Sequence, residues 1–319
     1  MRHPASRLVA AIILLCAGAA AAQSWPSKPV RLVVPFAAGS ATDSAGRLFA
    51  QALGERLGQP VVVENKAGAN GQIAAIAVAG SAPDGYTLFM TTNSTHSANP
   101  HLVRNLGYDP VRDFVPIARV GTLPFMLVVH PGLPARTTAE FLAYARAHPG
   151  ELSYGTASTA SMIGAETLNA MAGLKLEKVG YKSSPQAILD LAAGRLQVMV
   201  SDFTTAMPHV RSGKLRVLAV TTATRSALLP EVPAIAESLP GFDMTSWNGI
   251  FAPAHTPPDI VARVERESLR VLADRQLQSR FATIGFEIAP LDAAQLDRYV
   301  RGEIAHWGKL VRAANIQPE

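Results

Sequence analysis

Two stretches of this sequence combine small side chains with hydroxyls at points where a strand-like run gives way to a helical pattern. The first is Phe36-Ala37-Ala38-Gly39-Ser40-Ala41-Thr42-Asp43, after the apolar run Val30–Pro35. The second is Thr156-Ala157-Ser158-Thr159-Ala160-Ser161, after Tyr154 and Gly155. Side chains this small let a ligand approach the backbone, and the free N–H groups of a helix's first turn favour a negative group. No Lys, Arg or His occurs from Phe36 to Gly46 or from Tyr154 to Met171. A phosphate usually recruits such a partner, so amides and hydroxyls alone suit the lower charge of a carboxylate. Either loop alone reads equally well as an ordinary structural joint; two matching ones point to a ligand held between them.

A third polar stretch, Thr91 to Asn99, follows an apolar run, and its Thr92 and Ser94 would sit outside the carboxyl end of a strand, where open α/β sheets bind ligands. Asp202 occupies the corresponding place after Val198–Ser201. It could accept a hydrogen bond from a ligand or water, or cap the helix that follows. Lys182 and Arg112 are the cations that the fold could bring near.

Catalytic signatures are missing. There is no G-x-S-x-G, H-E-x-x-H, Walker A or G-x-G-x-x-G pattern. His96 has no nucleophile placed beside it, and hydrogen bonding within a polar loop accounts for it. Asp43 stands three residues after Ser40, the spacing of a capping box. Glu303 and His306, three apart, read as a solvated helix face rather than a metal pair, and Arg263, Arg266 and Arg270 alternate with Glu265 and Glu267 as a solvent face would. The expectation is no catalytic residue, no metal and no cofactor.

The elements that must position these residues alternate as in α/β architecture. Strands are expected at Val30–Pro35, Val61–Glu64, Tyr86–Thr91, Phe125–Val129, Leu152–Tyr154, Glu177–Gly180, Val198–Ser201, Leu215–Thr221 and Gly249–Ala252. Helices are expected at Ser44–Leu57, Gly71–Ala79, Thr138–Ala147, Ser161–Met171, from Pro185 with Ser184 as cap, and around Met207–Val210. Thr137 with Glu140 and Asp292 with Gln295 have capping-box spacing, and Thr256 and Pro257 open a further helix. Asn93–Pro116 reads as irregular. The partition expected is one lobe of residues 23–123 plus 246–319, with the C-terminal helices packed back on it, and a second lobe of 124–245.

The 319 residues, 48% of them hydrophobic, suffice for two cores. A formal charge of +5 with 6% aromatics and no basic block argues against nucleic acid. Residues 1–22 have a basic start, an apolar run from Leu8 to Leu15 and an Ala20-Ala21-Ala22 cleavage site, the pattern of a secretory signal peptide. Lipidation at Cys16 is disfavoured by the bulky Leu15 before it. Cleavage takes 22 residues from 319, leaving 297, and removes the only cysteine together with Arg2 and Arg7, so the charge falls to +3. A cysteine-free exported chain fits a bacterial periplasm.

The chain resembles the substrate-binding receptors of the tripartite tricarboxylate transporter family, the Bug proteins, along its whole mature length. The resemblance rests on Trp25-Pro26-Ser27-Lys28-Pro29 with Pro35-Phe36-Ala37-Ala38-Gly39, on Val61-Val62-Val63-Glu64-Asn65-Lys66-Ala67-Gly68, and on Ala82-Pro83-Asp84-Gly85-Tyr86-Thr87-Leu88. It continues through Gly213-Lys214-Leu215-Arg216-Val217-Leu218-Ala219-Val220-Thr221, Leu229-Pro230-Glu231-Val232-Pro233 and Phe251-Ala252-Pro253-Ala254 with Thr256-Pro257. It implies a two-lobed type II periplasmic-binding-protein fold that closes by a hinge, near Leu123–Phe125 and Thr245–Gly249, on a small carboxylate. A monomer that hands this ligand to membrane transporter subunits is expected. Carried over by position, Phe36 to Ser40, Thr42, Asp43, Thr92 and Ser94 line one side of the cleft, and Thr156 to Ser161 with Asp202 line the other. Where the family often has a second glycine, Ser40 stands here, and the second-lobe loop is shorter, with Ser158 and Ala160 in glycine-like places and no histidine. Two other readings use the same cleft: a ligand sensor docking to a membrane signalling protein, and a hydrolase or isomerase acting through Asp43, His96 or Asp202.

Overall fold

The computed structural model describes residues 25–314 and 316–318; the segment expected to be a signal peptide, residues 1–22, lies outside the described residues. In chain order the elements are β1 (Val30–Val34), α1 (Ala41–Leu57), β2 (Val61–Asn65), α2 (Gln72–Ala79), β3 (Thr87–Thr92), α3 (Asn99–Leu102), β4 (Phe114–Val129), α4 (Thr138–Ala147), β5 (Ser153–Thr156) and α5 (Thr159–Ala172). There follow β6 (Glu177–Gly180), α6 (Ser184–Ala192), β7 (Val198–Asp202), α7 (Phe203–Arg211), β8 (Arg216–Val220), β9 (Thr245–Pro253), α8 (Pro258–Leu272), α9 (Arg275–Thr283), β10 (Glu287–Leu291) and α10 (Ala293–Ala313). No helix of the described residues is long and apolar enough to cross a membrane.

The strand order is β2-β1-β3-β9-β4-β7-β5-β6, with β8 and β10 also paired to β4. Parallel pairs β1–β2 and β1–β3 form one end, and β5–β6 and β5–β7 the other. β4 and β9 run antiparallel to their neighbours and join the two. Along β4, Phe114 to Pro124 pairs with β9, whereas Phe125 to Val129 pairs with β7. One strand therefore belongs to both groups, and its allegiance changes between Pro124 and Phe125.

Alternation of side chains explains the apolar runs. Val30, Leu32 and Val34 pack with Phe49 and Leu53 of α1, while Val33 faces the opposite cluster of Val78, Phe89 and Phe251. On β4, Leu127 and Val129 join the first cluster and Met126 and Val128 pack with Ile188, Leu191 and Phe203. Helices cover both faces, so these strands read as continuous hydrophobic sequence.

Several expectations change. The strand expected at Phe125–Val129 begins at Phe114, because Pro116, Gly121 and Pro124 interrupt the strand pattern in the sequence, while in the sheet bulges next to Pro116 and Gly121 absorb the first two and Pro124 pairs in register with Thr245. Gly121 is required by contact: a Cβ there would lie 2.1 Å from Glu287 O, where β10 crosses. β10 itself had no expectation. The irregular stretch Asn93–Pro116 contains a π-helical turn, Ser94–Ala98, followed by α3. Gly249–Ala252 is the middle of the longer β9.

The capping box holds for α10, where Gln295 N donates to Asp292 Oδ1 at 2.7 Å and Asp292 N donates to Gln295 Oε1 at 3.1 Å; at α4 Thr137 caps by accepting from Glu140 N at 3.1 Å, but the Glu140 carboxylate accepts from Arg136 N at 2.6 Å, so that box is not closed. Thr256 does not cap α8; its hydroxyl donates to Pro253 O. The supposed solvent face of α8 carries a buried acid, since Glu267 receives Arg56, Arg266 and Arg270 at 2.9–3.2 Å and ties α8 to α1. Likewise Glu303 of α10 is only half exposed, accepts from Trp307 Nε1 at 3.0 Å, and has its pKa raised by burial, whereas His306 is exposed.

Candidate functional site

Four helices, α1, α5, α6 and α7, begin at one cleft, each following the carboxyl end of a parallel strand. Their cap residues Ser40, Ser158, Ser183 and Asp202 all line it. A helix leaves the N–H groups of its first turn without intrahelical acceptors and places about half a positive charge there. Ser40 Oγ accepts from Asp43 N and Ser158 Oγ from Ser161 N, each at 3.2 Å. These bonds use one donor of each helix, so the amides of Ala41 and Thr42 and of Thr159 and Ala160 still lack intrahelical partners.

At α6 the expected cap is displaced by one residue. Ser184 is the first helical residue, Ser183 holds the cap position, and its hydroxyl makes no cap bond. Asp202 caps α7 by accepting from Thr205 N at 2.8 Å. Burial raises the pKa of Asp202 and outweighs the opposing effect of the Thr205 hydrogen bonds. Lys182 is the basic residue on the cleft wall; Arg112 lies elsewhere, exposed and paired with Asp109 at 2.7 Å.

Of the residues expected to line the site, Phe36, Ala37, Ser40, Thr42, Thr92 and Ser94 come together with Ala157, Ser158, Ala160 and Asp202. Ala38 and Gly39 form the exposed tip of the first loop, Gly39 with φ +80°. Thr156, Thr159 and Ser161 are buried behind the second loop, and Ser161 Oγ donates to Val200 O at 2.6 Å.

Asp43 also stands behind the wall. Its Oδ2 accepts from Gly39 N at 2.9 Å and Arg47 Nε at 3.0 Å, and its Oδ1 accepts from Asn65 Nδ2 at 2.9 Å. Burial pushes against its ionisation, but bonds from Arg47, Gly39 and Asn65 prevail and hold it below the usual carboxylate range. With every lone pair direction engaged, this group shapes the loop.

His96 lies in the π-helical turn, fully buried, with ring centroids of Phe251 and Phe114 at 4.4 and 4.8 Å. Its Nδ1 shares a hydrogen bond with Thr91 Oγ1 at 2.6 Å. Burial lowers its pKa to about 3, so the ring is neutral at physiological pH. It is absent from the cleft wall, as is Asp43; of Asp43, His96 and Asp202, only Asp202 lines the cleft.

The cleft adds residues that were not among those expected to line it: Ala41, Asn93, Leu123, Phe125, Ser183, Ser184 and Ser246. Ser246 Oγ donates to Asn93 Oδ1, which fixes the Asn93 amide, and Asn93 Nδ2 has no partner among the described residues. Leu123, Phe125 and Ser246 are the floor, supplied by the two strands that join the halves of the sheet. Beneath them Thr221 Oγ1 accepts from Phe125 N at 3.2 Å and donates to Met244 O at 2.7 Å. Among the described residues no cluster of three or more His, Cys, Asp or Glu could hold a metal ion.

A family model described as "Tripartite tricarboxylate transporter family receptor" matches residues 45–316. A UPF0065 protein of Bordetella bronchiseptica is 37% identical over 312 residues, covering 98% of this chain and 93% of that one. A Rhodopseudomonas palustris protein solved with adipate superposes with a TM-score of 0.90 at 36% identity, covering 92% of this chain and 100% of its own. MatC from Rhodopseudomonas palustris, with bound malate, gives a TM-score of 0.84 at 32% identity over 90% of this chain and 100% of its own.

Proposed function

The chain belongs to the tripartite tricarboxylate transporter receptor family, and on that premise we propose that it captures a small carboxylate in the cleft and delivers it to a membrane transporter. The observation that carries this reading is the convergence of four helix N-termini, two of them capped by serine, on a single cleft. Partial positive charge without a cluster of cations suits a carboxylate, which amides can ligate directly. Neighbours of the same architecture hold adipate and malate, which supports the same ligand class here.

In this reading the first-turn amides of α1 and α5 and the amide of Asn93 hold one carboxylate. Residues 23–123 plus 246–319 form one lobe and 124–245 the other, and they close about the strands at Leu123–Phe125 and Thr245–Gly249. Ligand favours the closed state because only closure brings both sets of donors to one anion. The receptor works as a periplasmic monomer and releases its ligand unchanged.

A thermal-unfolding screen of the mature protein against mono-, di- and tricarboxylates, amino acids and neutral sugars tests this. A ligand at a hundred times its Kd stabilises the fold by about 2.7 kcal/mol. The expected outcome is a rise of several degrees with at least one carboxylate and none with sugars. Stabilisation by neutral sugars alone would overturn the reading.

A further inference from the structure

The turn between α9 and β10 reaches from one half of the molecule onto the other. On its own side it is firmly built. Gly285 N donates to Ala282 O at 3.0 Å and Phe286 N to Phe281 O at 3.1 Å, and the rings of Phe281 and Phe286 meet edge to face at 5.2 Å. Antiparallel pairing of Glu287 with Thr122 and of Ile288 with Gly121 then fixes the turn to the part of β4 that pairs with β9.

The surface on which the turn rests belongs to the other half. Thr204, in the first turn of α7, donates from Oγ1 to Ile284 O at 2.5 Å, a carbonyl at the end of α9 where intrahelical donors run out. Gly285, at φ +73°, lies flat on Phe203: a Cβ there would stand 2.1 Å from Phe203 Cβ. Phe203 is itself buried among Met126, Val128, Ile188 and Leu191. A third contact comes from the connection between β8 and β9, where Ser226 Oγ donates to Glu287 Oε1 at 2.8 Å. Ser226 is buried, and its oxygen accepts from Leu228 N at 3.2 Å, which leaves its proton for Glu287. A carboxylate acceptor makes this the stronger kind of hydrogen bond. None of these contact residues lines the cleft, yet Phe203 and Thr204 directly follow Asp202, which does.

Resting on the two-lobe reading given above, we propose that the α9–β10 turn is a latch that holds the lobes in the arrangement forming the cleft, with or without ligand. Opening about the strands at Leu123–Phe125 and Thr245–Gly249 parts two hydrogen bonds and the Gly285–Phe203 contact. The latch touches no ligand. It raises the affinity for every ligand by one common factor, through the population of the binding-competent arrangement.

Interlobe distances measured without any ligand test this. Residues 23–319 contain no cysteine, so spin labels can be placed on Ile73→Cys and Lys178→Cys, both positions exposed and one in each lobe. In the labelled wild type a short distance matching the structure is expected to dominate. Thr204→Val combined with Glu287→Ala, at two half-buried positions, is expected to shift the ratio of short to long distances about tenfold toward the long. Glu287→Gln, whose amide oxygen still accepts from Ser226, is expected to stay near the wild type. Glu287→Ala alone moves the ratio the same way by a smaller factor and serves if the pair does not fold. A wild type without the short distance, or an unchanged distribution in the alanine variants, would overturn the latch while leaving the carboxylate receptor standing. Failure of the thermal screen would overturn the receptor reading and leave these distances as they are.

Discussion

Asn65 Nδ2 donates to Asp43 Oδ1 and to Phe36 O, each at 2.9 Å, so one side-chain amide at the end of β2 fastens both ends of the β1–α1 loop. The loop is therefore positioned from behind, by residues that do not line the cleft, and the Phe36 backbone is held by a neighbour on the next strand.

Asn65→Ala is expected to weaken the protein twice over. Two acceptors lose their donor, which costs about 1–3 kcal/mol in stability, and the loosened loop weakens ligand binding although no contacting side chain has changed. Urea unfolding and calorimetric titration check the two effects separately. Loss of stability with unaltered affinity would show that the loop does not contribute to the site.

His96 should make the protein acid-sensitive. Its pKa falls from the usual 6.5 to about 3 on burial. Between those values the unfolded chain binds a proton that the folded chain does not, so stability is full above pH 6.5 and is lost as pH falls. The loss approaches about 1.4 kcal/mol per pH unit inside that window. His96→Phe, placed among Phe89, Phe114 and Phe251, is expected to flatten that slope when unfolding is followed from pH 7 to pH 4.

Asp202 works in the opposite sense. Burial raises its pKa above the unfolded value of 3.8, so the folded state holds the proton longer and stability declines as pH rises through the folded-state pKa. Ionised Asp202 beside a bound carboxylate also repels it. Ligand affinity is therefore expected to fall with rising pH across that range, and Asp202→Asn, which retains a capping oxygen, should remove the dependence. Titrations at a series of pH values on both proteins measure it.

What the sequence disclosed follows from how local the chemistry is. Ser40 was legible as a helix cap because the capping hydroxyl and the amide that donates to it lie three residues apart, whereas Ser158 was legible only as part of a small-residue loop, the helix being expected from Ser161 and starting at Thr159. Asp43 was half legible: its capping geometry is local, but Asn65, which completes it, comes from the neighbouring strand. Asn93 and Ser246 meet across 153 positions, and no pattern near either predicts the other. β4 was hidden by Pro116, Gly121 and Pro124; of these, Gly121 has its reason in the approach of β10, which comes from far along the chain. His96 looked like part of a polar loop because the phenylalanines that surround it come from three separate strands.

The central claim is that the converging helix N-termini hold the ligand's carboxylate. A crystal structure of the mature protein with a bound carboxylate ligand tests it most directly. The account predicts one carboxylate within about 3.2 Å of first-turn N–H groups of both α1 and α5, among them Thr42 and Ala160. A carboxylate ligand lying outside the cleft, or oriented with no carboxylate oxygen facing those amides, would contradict it.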